Sequence, residues 1–242
     1  MALRWQRAFA WCGPVLMVFF LLGFGPIAKF LPPPSPHDSV AHTASFYADN
    51  ATRIHLGLWI TTFAAALFAP WVVAITMQMR RIEGRSTPLS FLQLALGAIF
   101  VLEFIFPLMI WQAAAFRPGS SPEITARLND LGWLMFVGVV STGVLQAIVI
   151  GLGILFDEHD EPVFPRWVGY VNLWCALLFM PGGLCVFFKS GPFAYNGLLA
   201  WWLLLVGFAV WMIVMSVALL RYAIPHEERA EPAVLAFNRQ LV

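Results

Sequence analysis

An all-helical membrane bundle of six spans, with both termini cytoplasmic, is the fold this sequence predicts. Three observations predict it. The 242 residues are 60% hydrophobic and 11% charged, a balance that leaves too much apolar surface for a water-soluble core. Six apolar stretches, at 9–31, 54–79, 89–115, 131–156, 167–188 and 195–222, reach the length of about 20 residues that a hydrocarbon layer requires. The linkers between them are too short for a soluble module, so 1–242 reads as a single membrane domain.

The first stretch follows Arg4 and Arg7, as a secretory signal would. It is too long for one, and Gly25-Pro26-Ile27-Ala28-Lys29-Phe30 offers no small-x-small cleavage pattern, so a retained helix is expected. The outer loop 32–53 opens with the stiff Pro32-Pro33-Pro34-Ser35-Pro36. Asp38 or Ser39 is then placed to cap a short surface helix carrying Val40, Ala44, Phe46 and Tyr47. In the second stretch, Pro70 interrupts the helix. Gly84 ends it and Pro88 opens the third, a tight hairpin.

Residues 124–130 are expected to form one or two helical turns ahead of the fourth span. Gly138 with Gly143, and Gly151 with Gly153, give that span faces where another helix can approach closely. Asp157-Glu158-His159-Asp160-Glu161 reads as a solvated acidic loop. The fifth span carries Pro181-Gly182-Gly183. Leu67-Phe68-Ala69-Pro70 and Leu178-Phe179-Met180-Pro181 share a Leu-Phe-x-Pro pattern, as two broken helices in corresponding halves would. Trp5, Trp11, Trp111, Trp133, Trp167, Tyr170, Tyr195 and Tyr222, near span ends, are expected to anchor at the interfaces.

Orientation follows from the basic residues. Arg4, Arg7, Arg80, Arg81, Arg85, Arg166, Arg221, Arg229 and Arg239 fall on one side, against Lys29, Arg53, Arg117, Arg127 and Lys189 on the other. The positive-inside rule makes the richer side cytoplasmic.

Glu103 is the expensive residue of the chain. It falls in the middle of the third span, where a charged group costs about 2.5 kcal/mol or more and normally faces a partner or a cavity. Pro107 frees the carbonyl of Glu103 itself, because a proline cannot donate to the residue four places earlier. Gln93, Gln146 and Asn172 are the in-span polar groups expected to join Glu103 in a ligand or proton site. The alternative is a neutral acid serving as glue between helices.

A second candidate is a metal site in the first outer loop. Asp38, His42 and His55 have the ligand spacing of the copper site in the C subunit of particulate methane and ammonia monooxygenases, which this loop resembles in that spacing alone. One carboxylate and two imidazoles suit copper or zinc. The competing reading makes Asp38 a helix cap and the histidines ordinary interfacial side chains, and no cofactor is expected on that reading. Cys12, Cys175 and Cys185 lie in or at the ends of spans and read as small packing residues. No Lys suits a retinal Schiff base, no in-span His pair suits haem, and no His-rich box suits a membrane protease or di-iron oxygenase. A net charge of +1 gives no nucleic-acid footprint.

Arg81-Ile82-Glu83-Gly84, Leu102-Glu103-Phe104-Ile105-Phe106-Pro107, Leu128-Asn129-Asp130-Leu131-Gly132-Trp133 and Phe164-Pro165-Arg166-Trp167 resemble stretches of an uncharacterised family of bacterial six-helix membrane proteins. That resemblance implies a multi-pass protein of the bacterial inner membrane and brings no activity with it. The functional expectation is binding, transport or sensing of a small apolar or amphipathic molecule around Glu103. A structural or accessory subunit, with a membrane partner or a second copy, is the alternative. A membrane enzyme with the loop metal site comes third.

Overall fold

Ser39 decides where the second span begins. Its hydroxyl accepts the amide of His42 at 3.1 Å, and the helix it caps then runs unbroken to Ala66. The computed structural model describes residues 2–230, which contain eight α-helices and no strand. These are α1 (Ala2–Leu22), α2 (Val40–Ala66), α3 (Phe68–Glu83), α4 (Pro88–Phe116), α5 (Pro122–Gly138), α6 (Ser141–Leu155), α7 (Arg166–Phe179) and α8 (Leu203–Ala218). A π turn, Gly23–Ile27, extends α1, and a 3-10 turn, Met180–Val186, extends α7. Two more π turns, Leu198–Trp202 and Leu219–Ala223, flank α8.

By length and apolar character these elements form six spans: Leu3–Ile27, Val40–Glu83, Pro88–Phe116, Pro122–Leu155, Arg166–Val186 and Leu198–Ala230. The first helix and the end of the sixth span meet on one face, called here the terminal face. Arg7 pairs with Glu228 at 2.6 Å, and the Gln78 amide donates to Gln6 at 2.5 Å and to Glu227 at 2.7 Å. Arg81 closes the cluster by donating to Gln78 at 2.6 Å and to the carbonyl of Ala223 at 3.1 Å. Arg239, counted above toward orientation, lies outside the described residues.

Local chemistry sets most of the boundaries. Pro70 cannot donate to the carbonyl of Ala66, and the second span breaks there, at Leu67, into α2 and α3. Gly84, at φ 70°, reverses the chain after α3, and Pro88 occupies the first turn of α4. Glu83 caps α4 from outside, its carboxylate accepting the amides of Leu89 and Ser90 at 2.8 Å each.

Four expectations are corrected. Residues 40–53 are the first turns of α2, because nothing interrupts the helix between the Ser39 cap and Ala66; there is no separate surface helix. Residues 124–130 likewise belong to α5, which Pro122 opens. The acidic loop after α6 is not simply solvated. Asp157 is buried there, accepting the amides of His159 at 3.1 Å and Val163 at 2.8 Å. Finally, Trp111, Trp133 and Tyr195 are buried in an aromatic cluster with Phe24, Phe30 and Trp201, whereas Trp5, Trp11, Trp167, Tyr170 and Tyr222 are exposed. Burial raises the ionisation of the Tyr195 hydroxyl above the ordinary phenol range, and the Asp130 carboxylate adds to the effect, so this tip stays neutral.

Candidate functional site

Three interruptions of helix pack against one another where the fourth, fifth and sixth spans meet. The fourth span stops at Val139 and Val140 between α5 and α6, α7 tightens into its 3-10 turn, and the sixth span starts as a π turn. A cavity of about 60 Å³ remains, lined by Met17 and Phe20 of α1, Phe100 and Phe104 of α4, Phe136 of α5, Val139, Val140, Gly143 of α6, Phe179 of α7, and Trp201, Leu204, Leu205 and Phe208 at the sixth span. At roughly 10–15 Å³ per water-sized group, it takes a few methylenes or a small ring. Its walls are apolar, so it favours such a group over water.

Glu103 stands beside this cavity without lining it. One residue past the centre of α4, it is half-buried in the groove where α4 packs on α6, while its neighbours Leu102 and Phe106 face outward. Thr142 donates its hydroxyl to Oε1, and Oε2 is buried without a protein partner. Phe104 and Gly143, the next residue after each member of this pair, form part of the cavity wall. Acid and cavity therefore occupy adjoining faces of one helix contact. Gly143 permits that contact, since a methyl there would come within 3.0 Å of the Phe100 ring.

The predicted polar companions divide. Gln93 is fully buried, its carbonyl accepting from Thr76 at 3.1 Å and its amide donating to the Val72 carbonyl at 3.2 Å. Gln146 is fully buried with neither polar atom bonded, and its amide reaches α4 at Gly97. Both belong to the seam between α3, α4 and α6 that ends at Glu103. Asn172 does not. It joins α7 to α8, accepting from Trp211 Nε1 at 2.7 Å and donating to the Val168 carbonyl at 2.8 Å.

The loop ligands do not converge. Asp38 accepts the amide of Ser35 at 3.1 Å, as a loop-capping residue. His42 is exposed in the first turn of α2, and His55 contacts Gln112 at 2.6 Å farther along the same helix. The thirteen-residue step from His42 to His55 amounts to about 20 Å at 1.5 Å per residue, and the helical rotation turns the two imidazoles to different faces. One ion cannot reach both. Among the described residues no group of three His, Cys, Asp or Glu side chains is placed to hold a metal.

Sequence reasoning missed the phenylalanine-walled cavity and the break beside it. The available signal was the run Gly138-Val139-Val140-Ser141-Thr142-Gly143, two glycines enclosing four residues that favour extended or capping conformations over helix. No protein-family model matches this chain, and no curated protein or solved structure is significantly similar to it. Function must therefore be argued from the site. What the site offers chemically is a small, partly open apolar receptacle next to a half-buried carboxyl.

Proposed function

We propose that this multi-pass membrane protein binds, and transports or senses, a small apolar or amphipathic molecule whose apolar part enters the central cavity. Glu103 then serves as the proton-carrying group coupled to occupancy. The observation that carries this reading is the position of the cavity, at the junction of the interrupted fourth, fifth and sixth spans and one residue from the Glu103 and Thr142 pair. Interrupted helices are where transporters place their sites, because irregular backbone at membrane depth is tolerated only against protein or a cavity. The excess of arginine on the terminal face supports a cytoplasmic assignment for it, and a bacterial inner membrane fits the chain's resemblance.

A structural or accessory subunit is the second reading, favoured by the hydrogen bond that ties Glu103 to Thr142 and by the close glycine contacts of α6. Mass spectrometry of molecules that co-purify with the protein separates the two. Wild type should carry a specific apolar or amphipathic species. Val139→Trp, at a lining residue that is 41% exposed and so tolerates a larger ring, should lose it. Glu103→Gln should retain the species with its pH dependence abolished. Identical profiles for all three proteins would leave the accessory role ahead.

A further inference from the structure

We infer that the seam between α3, α4 and α6 is a water-bridged proton path joining Glu103 to the terminal face. This deepens the coupling role proposed for Glu103 and rests on it. The path starts at the hairpin, where Glu83 accepts the hydroxyl and the amide of Ser90. One turn deeper, Thr76 and Gln93 bond across α3 and α4 around the Val72 carbonyl. The next turn of α4 is Gly97, where the missing side chain admits both Val72 from α3 and Gln146 from α6: a methyl there would lie 2.5 Å from a Val72 methyl and 2.8 Å from Gln146 Nε2. Thr142, one helical turn or about 6 Å from Gln146, holds Glu103.

Gln146 is the decisive member. A buried primary amide with both ends unbonded is a large penalty, and no protein group offsets it. Glu103 Oε2 is also buried without a partner, and Thr142, which holds the other carboxylate oxygen, lies one turn of α6 from Gln146. Waters between the two satisfy both and connect Glu103 to the polar steps below it. In the other direction α4 continues as Phe104-Ile105-Phe106-Pro107-Leu108-Met109-Ile110-Trp111, with no polar side chain facing Glu103 before Gln112. Along α4 the polar steps thus lie on the side of Glu103 toward the terminal face. The O–H bond of Glu103 breaks, its proton passes to the adjacent water, successive waters each give up one proton, and the water nearest Ser90 releases a proton to the medium. Gln146, Gln93 and Thr76 orient those waters and do not change protonation.

Infrared spectroscopy of the protein in lipid tests this without any ligand, so failure to find a bound molecule leaves the result standing. The carbonyl stretch of protonated Glu103, identified by its loss in Glu103→Gln, is followed on transfer to deuterated buffer. Gln146→Leu should slow deuteration about tenfold or more, a factor equal to ~1.4 kcal/mol on the barrier. Thr76→Val should slow it too, and Gln112→Leu on the opposite side should not. An unchanged rate in Gln146→Leu, a slowing confined to Gln112→Leu, or the absence of any band lost in Glu103→Gln would each overturn the path.

Discussion

A methyl group at Gly57 is expected to prevent the first two spans from assembling. Placed on the backbone of α2, it would come within 2.6 Å of the Ala28 amide nitrogen and collide with the Gly23 carbonyl. The contact is reciprocal, since a methyl at Gly23 would lie 2.6 Å from the Gly57 carbonyl and 2.5 Å from the Thr61 hydroxyl. Backbone atoms cannot rotate aside as a side chain can. Ordinary overpacking costs about 1–3 kcal/mol, and a clash against main chain on both sides belongs in the tail of about 4 kcal/mol or more. Arg53 adds to the rigidity by donating to the carbonyls of Pro26 and Ile27 at 2.8 and 3.2 Å, holding the π turn against α2. Thermal unfolding in detergent should show Gly57→Ala strongly destabilised or aggregated. Gly25→Ala is the control, because its nearest neighbour would be an ordinary 3.7 Å away. Equal melting of the two variants would mean that the π turn does not rest on Gly57.

The same pair of glycines shows what a sequence can and cannot reveal. Span number, the break at Pro70, the tightening at Pro181 and the Gly84 and Pro88 hairpin were legible because each follows from a local property: apolar length, a missing amide hydrogen, a permissive φ. Which glycine meets which backbone is a matter of tertiary register and leaves no local trace. The interruption at Val139 and Val140 has no proline to announce it. Trp111, Trp133 and Tyr195 sit near span ends in sequence, yet Phe30 packs on both tryptophans and Trp133 stacks on Tyr195 and meets Trp201, so all three are buried. The Asp38, His42 and His55 spacing misled for a plain reason: it presumed a loop, and a continuous helix carries two of the three apart.

Asn172→Leu is expected to destabilise the protein by about 2 kcal/mol, the cost of leaving a buried donor without its acceptor. The donor is Trp211 Nε1, 2.7 Å from Asn172 Oδ1 and fully buried among Trp71, Phe179 and Phe208. Trp71 depends on the same neighbourhood, since its own Nε1 donates to Ser216 of α8 at 2.9 Å. Trp211→Phe should cost a similar amount by orphaning the Asn172 carbonyl oxygen. The double variant should then lose less than the sum, with a coupling of about 0.6–1.7 kcal/mol, the range for cross-helix bonds in membranes. Unfolding midpoints of the two single variants and the double measure this directly. The comparison also separates Asn172 from the Glu103 seam. A residue that holds α7 to α8 should change stability and leave the deuteration rate of Glu103 at its wild-type value, whereas a member of the proton site would alter that rate even in fully folded protein. Slowed exchange in folded Asn172→Leu would return this residue to the group in which its depth in the sequence first placed it.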